Sequence, residues 1–218
     1  MTWSVLWRPF GFLVLATFFA AIALGPTAAV AQRLSGPQQV VENVSDGLVR
    51  ILREQRGKLK TDPDFVYEIV DDLFLPHVDV DTVSALVLGR HWRTATPEQR
   101  QAFNREFKRL VTQTYATAIH ELSADGWDII YLPVRELGGK SKRVVVRTQI
   151  SRPGAQPTSV DYSMRYKGNR WLAYDVKVEG ISLLSNYRSS FGRLVSQKGL
   201  DGLIRDLNAR NDAKGGSS

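Results

Sequence analysis

The 218-residue chain contains no cysteine, which excludes thiol catalysis, cysteine-ligated metal and disulfide stapling. The absence leaves the compartment open, because exported proteins use disulfides without requiring them. Histidine is scarce. His77, His91 and His120 stand far apart in unrelated contexts, and no two share metal-ligand spacing. No Gly-x-Ser-x-Gly nucleophile elbow occurs. Gly138-Gly139-Lys140-Ser141 lacks the earlier glycine of a phosphate-binding loop, so ATP hydrolysis by that route is excluded. No catalytic set, metal site or cofactor is therefore expected. Long blocks of one charge are also missing. The 29 basic and 22 acidic residues give a net charge of +7, spread along the chain. The compact basic stretch is Lys140, Lys142, Arg143 and Arg147, and strand geometry puts Arg143 and Arg147 on one face. They are candidate phosphate neighbours, with a solvated surface as the commoner role.

What is present begins with an export signal. Arg8 precedes an apolar run from Phe10 to Leu24, followed by Gly25-Pro26 and Ala29-Val30-Ala31. This is the three-part pattern of a secretory signal peptide, with small residues at the cleavage site. The run is about 15 residues, short of the roughly 20 that span a bilayer. The reading is a signal peptide over 1–31, a single domain over 32–210 with a helical N-terminal part, and a small, polar, disordered tail over 211–218. Export argues against a nucleic-acid partner.

The domain reads as helices, then strands, then helices. Val41, Val44, Leu48, Ile51 and Leu52 recur at helical spacing between Pro37 and Lys60. Asp62-Pro63 opens a second helix that Pro76 stops, and Asp79 caps a third running to Leu88, with Gly89 after it. Thr96 and Gln99 form a capping box before a long stripe of Phe103, Phe107, Leu110, Val111, Tyr115, Ile119 and Leu122. After Gly126 the period changes to two. Strands are expected over Trp127–Val134, Lys142–Ile150, Val160–Lys167 and a fourth with Leu172, Tyr174, Val176 and Val178 on one face. Lys167-Gly168-Asn169 is a tight turn. A helix over Ile181–Lys198, broken by Gly199, and a last turn or two over Leu200–Leu207 close the chain. The class is α+β, with a four-stranded antiparallel sheet.

The apolar surface exceeds what simple alternation needs. The sheet face carrying Tyr162, Met164, Tyr174 and Val176 must be covered, and Phe107, Val111 and Tyr115 of the long helix can cover it. Solid core and ligand pocket are equally good readings of that pattern.

Two ordered segments separate them. Val87-Leu88-Gly89-Arg90-His91-Trp92-Arg93, with Ala95-Thr96-Pro97-Glu98-Gln99-Arg100, Phe103, Phe107 and Tyr115, forms the first. Trp171, Tyr174-Asp175-Val176, Val178-Glu179-Gly180-Ile181-Ser182-Leu183, Asn186-Tyr187-Arg188, Phe191 and Gly199-Leu200-Asp201-Gly202-Leu203-Ile204 form the second. Together they resemble the signatures of the MlaC family, periplasmic phospholipid-binding proteins also called toluene-tolerance proteins. The resemblance spans about Pro37 to Leu207. It implies a nuclear-transport-factor-2-like sheet packed with several helices around an apolar cavity that takes acyl chains. It implies lipid contact at Phe107, Val111, Tyr115, Val144, Val146, Tyr162, Met164, Tyr174 and Val176. It also implies shuttling between an outer-membrane lipoprotein complex and an inner-membrane ABC transporter with an MCE-domain protein, maintaining outer-membrane lipid asymmetry. A related branch accompanies hopanoid synthesis genes, so hopanoid-linked cargo is compatible. Asp175 and Arg188 are expected to pair and fix the last helix. Two alternatives stand beside the carrier: a small enzyme on the same scaffold, which needs Asp161 or Asp175 inside the cavity, and a ligand-free periplasmic adaptor.

Overall fold

The computed structural model describes residues 27–62, 64–121, 128–137, 142–152 and 154–215, with side chains from residue 36 onward except at 60, 115–121 and 214–215. The signal segment to residue 26, Pro63, the strand start at Trp127 and the loop 138–141 lie outside the described residues.

Helix α1 (Thr27–Glu54) starts upstream of Pro37 and takes that proline into its interior. The expected start at Pro37 is corrected. Pro37 is fully buried, and a Cβ on neighbouring Gly36 would stand 3.3 Å from Trp171 Nε1. That burial, beside the close approach of Gly36 to Trp171, offsets the backbone hydrogen bond that proline removes. After α2 (Arg56–Thr61), Asp62 Oδ1 accepts the Asp64 amide at 3.0 Å and the chain enters α3 (Phe65–Ile69). It then widens into a π-turn (Val70–Phe74) and tightens into a 3-10 turn (Leu75–His77) around Pro76. π-turns recur at functional sites.

Asp79 caps α4 (Val80–Leu88), accepting the Thr82 amide at 3.2 Å and the Thr82 hydroxyl at 2.7 Å. Lys167 Nζ donates to the same carboxylate at 3.0 Å. Burial by itself pushes the Asp79 carboxyl up, but the hydrogen bonds from Thr82 and Lys167 outweigh it and hold the pKa below its ordinary value. After α5 (Arg90–Thr94), α6 (Pro97–Glu121) opens with the expected capping box. The Gln99 amide donates to Thr96 Oγ1 at 3.2 Å, and the Thr96 amide donates to Gln99 Oε1 at 3.0 Å.

The sheet is an antiparallel meander in the order β1-β2-β3-β4-β5. Its strands are β1 (Asp128–Glu136), β2 (Arg143–Ser151), β3 (Thr158–Lys167), β4 (Arg170–Val178) and β5 (Ile181–Ser182). Gly168 and Asn169 both take positive φ, 57° and 62°, as a two-residue hairpin requires. The four-strand expectation is corrected to five. Glu179 and Gly180 also take positive φ and fold the chain back, so Ile181 pairs with Val178 before the last helix begins at Leu183.

β4 carries a bulge. Asp175 pairs with Ser163, but Met164 pairs with Ala173, leaving Tyr174 as the extra residue. One extra residue reverses the side-chain phase. The expectation that Leu172, Tyr174, Val176 and Val178 share a face therefore fails: Val176 and Val178 pair with Tyr162 and Val160, and Ala173 takes the place expected for Tyr174.

Helix α7 (Leu183–Gly215) changes direction at Gly199, whose φ of 73° and ψ of 174° break the helical geometry. The tail expectation is corrected over 211–215, and residues 216–218 lie outside the described residues. The helix continues to Gly215, and Asn211 is fully buried, with Nδ2 donating to Glu106 O at 2.9 Å and to Glu106 Oε2 at 3.1 Å. A short polar residue can anchor a helix by such bonds, which composition does not reveal.

Three apolar clusters hold these elements. The largest joins α4, α6 and α7 through Phe103, Phe107, Leu110, Phe191 and Leu203. Phe107 meets Tyr187 and Phe191 edge-on at 5.1 and 5.7 Å. The second packs α1 and α2 onto α3. The third sets Val41 of α1 onto Val144, Val146 and Met164 of the sheet.

Candidate functional site

Between these clusters lies a cavity of about 340 Å³, partly open to solvent. That volume is at the lower end of ordinary ligand sites. Five elements make its wall. The irregular segment after α3 contributes Val70, Phe74, Leu75 and Val78. α4 adds Val80 and Val83, α6 adds Phe107 and Val111, β4 supplies Ala173 to Val176, and α7 adds Leu183, Leu184 and Tyr187. The lining is almost wholly apolar. The bulge in β4 lets four consecutive residues reach it.

The polar groups in the wall are few. Lys108 bonds Asp71 at 2.7 Å, tying α6 to the π-turn. Asn104 donates to Asp81 at 3.1 Å. Asp175 accepts the Ser182 hydroxyl at 2.8 Å and the Leu184 amide at 3.1 Å, so its carboxylate caps α7. This corrects two expectations. Asp175 reaches the cavity wall, although the regular strand phase turned it away. Its partners are also at the start of α7, where an N-terminal cap satisfies free amides, and Arg188 is not among its hydrogen-bond partners. Asp161 sits in register with Arg147 and Lys177 and does not line the cavity.

The sequence-derived contact residues divide into three groups. Phe107, Val111, Tyr174 and Val176 come together in the cavity wall. Val144, Val146, Tyr162 and Met164 do not: they pack under α1, and Val146 and Met164 are buried to within 1%. Coverage by α1 closes that part of the sheet, so these four expected lipid contacts belong to packed core and the long helix is not the only cover of the face. Burial pushes the Tyr162 phenol up to about 12, with the nearby Tyr131 adding to the effect, so it stays neutral in ordinary conditions. Tyr115 belongs to α6, but its side chain lies outside the described residues. Residues that sequence reasoning missed include Val70, Phe74, Val83, Leu184 and Tyr187. Each is an apolar position of a helical segment, where no local signal separates wall from core.

A shallow polar depression, lined by Arg188, Arg193 and neighbours, lies on α7 alone and cannot enclose an apolar ligand. Among the described residues no cluster of acidic and histidine side chains could hold a metal ion. Among them, too, no helix is long and apolar enough to cross a membrane.

An α+β frame around a nearly unbroken apolar wall defines an apolar-ligand binding protein rather than a site built for polar substrates. The chain belongs to the MlaC family, whose model, MlaC protein, matches residues 42–209. It is 27% identical over 194 residues to the intermembrane phospholipid transport system binding protein MlaC of Haemophilus influenzae, covering 88% of each chain. It is 29% identical over 166 residues to toluene tolerance protein ttg2D of Pseudomonas putida, covering 76% of this chain and 75% of that one. Among solved structures, the phospholipid-binding protein of Ralstonia solanacearum, in complex with a phospholipid, matches with a TM-score of 0.75 at 28% identity. That match covers 82% of this chain and 98% of the other.

Proposed function

We propose that the protein is a periplasmic phospholipid carrier that holds acyl chains in the cavity between β4, α4, α6 and α7 and moves lipid between the two membranes. The apolar wall carries this reading. The phospholipid complex of the Ralstonia solanacearum relative supports it. An acyl chain leaving a bilayer loses about 0.8 kcal/mol per methylene, on the order of 10 kcal/mol for a long chain. Only a wall of comparable apolarity offsets that cost. The headgroup remains at the solvent side.

Export follows from the N-terminal signal pattern. Loading and unloading then fall to an inner-membrane ABC transporter with an MCE-domain protein and an outer-membrane lipoprotein complex, and the traffic maintains outer-membrane lipid asymmetry. The lipid is carried without chemical change. In support, the carboxylate at the wall, Asp175, is committed to capping α7.

Organic-solvent extraction of the purified protein, followed by mass spectrometry, tests the reading. Diacyl phospholipid at close to one per chain is expected. A hopanoid in its place would correct the cargo, and a protein that emerges empty and stays empty after incubation with vesicles would refute the carrier.

A further inference from the structure

α6 lays a line of polar side chains along an apolar wall. Asn104, Lys108 and Thr112 are spaced four apart, so they lie on one face of the helix, and all three line the cavity. Lys108 pairs with Asp71, and Asn104 donates to Asp81 through Nδ2, while its Oδ1, which can only accept, is buried without a partner. Thr112 carries the unpartnered donor. It is 3% exposed, and its Oγ1 is buried without any hydrogen-bond partner. It does not take the bond to the carbonyl four residues earlier that helical threonines commonly make. A buried hydroxyl without a partner is costly, and such groups in native proteins call for a reason.

We infer that the Thr112 hydroxyl donates to an acyl ester carbonyl of the bound lipid, and so makes Thr112 a specificity-determining residue for ester-linked lipids. The inference rests on the carrier reading. An ester carbonyl accepts but cannot donate, which matches an unpartnered O–H group on a residue that lines the cavity. Lys108, four residues or about 6 Å away along α6, is one-third exposed and marks the solvent side, where the headgroup belongs. The ester region of a glycerolipid joins its apolar tails to its charged head, and Thr112 stands next to Val111 of the apolar wall and four residues from Lys108.

The test uses purified protein stripped of lipid, then loaded from vesicles holding equimolar diester and diether phosphatidylglycerol of the same chain length. Competition within one vesicle cancels headgroup and membrane effects. One net hydrogen bond corresponds to about a fivefold preference for the diester in the loaded protein. Thr112→Val is expected to bring the ratio near one by lowering diester loading about fivefold and leaving diether loading in place, and Thr112→Ser to keep the preference. Thr112→Val should leave the empty protein no less stable, because the hydroxyl it removes satisfies nothing there. Equal loading of both lipids by the wild type, or a preference that survives Thr112→Val, overturns the inference. Displacement of the diester by an equal concentration of oleate overturns the ester assignment, since a free carboxylate would then fill the site. Loading of neither lipid overturns the carrier reading and this inference with it.

Discussion

A carboxylate placed in the wall would report directly on whether acyl chains fill the cavity. Val176 is the position of choice: it lines the cavity, is half-buried, and belongs to none of the three core clusters. In the empty protein a Val176→Asp carboxylate is hydrated through the open side of the cavity. Lipid loading strips that water away, and the group must then lose its charge. Lys108, the cation of the wall among the described residues, already pairs with Asp71. From an ordinary aspartate pKa of about 3.9, neutralisation at pH 7 costs about 4 kcal/mol, or roughly a thousandfold in affinity. At pH 5 the same step costs about 1.5 kcal/mol, roughly tenfold. The sign is fixed: loading raises the carboxyl pKa, so lipid binding strengthens as pH falls. Transfer of a fluorescent phospholipid from vesicles, followed between pH 5 and 7, should recover close to a hundredfold. Val176→Asn should lose only about 1–3 kcal/mol and show no such recovery. Wild-type loading by Val176→Asp at pH 7, or a loss equal at both pH values, would show that the chains lie elsewhere.

Other positions separate wall from frame. Met164→Lys puts a charge into the closed packing beneath α1, so urea denaturation should show severe destabilisation rather than an emptied but folded protein. Asn211→Ala removes both bonds to Glu106 and should cost about 1–3 kcal/mol in the same assay. Asp79→Asn should destabilise the protein at neutral pH. Because the folded carboxyl pKa is lowered, the stability it contributes is present above its unfolded value of about 3.9 and lost as pH falls through the folded value, so the gap between variant and wild type should close in acid.

Much of the frame was legible because local chemistry set it. The Thr96–Gln99 box, the Gly168-Asn169 turn and the break at Gly199 each follow from what one or two residues permit in their own backbone. β5 and the helical tail were not legible. The first depends on a turn at Glu179-Gly180 that read as a strand exit, and the second on a bond between Asn211 and a glutamate 105 positions away. The site was half-legible for the same reason. Phe107 and Val111 were visible on the long stripe and Tyr174 and Val176 on the strand, but period-two arithmetic along β4 could not see the bulge that lets Ala173 and Asp175 reach the wall as well. Nor could it see α1 descend on Val144, Val146 and Met164 and take them out of reach. Alternation shows that a face is covered, while only tertiary contacts show what covers it.

The most direct measurement of the central claim is photo-crosslinking with a phospholipid whose acyl chain carries a diazirine, read by peptide mass spectrometry. Adducts are expected on the π-turn, α4, α6, β4 and the first turns of α7, with Val70, Phe107, Val176 and Tyr187 as candidate sites. Adducts confined to the outer surface, or to Val144, Val146 and Met164 beneath α1, would contradict it.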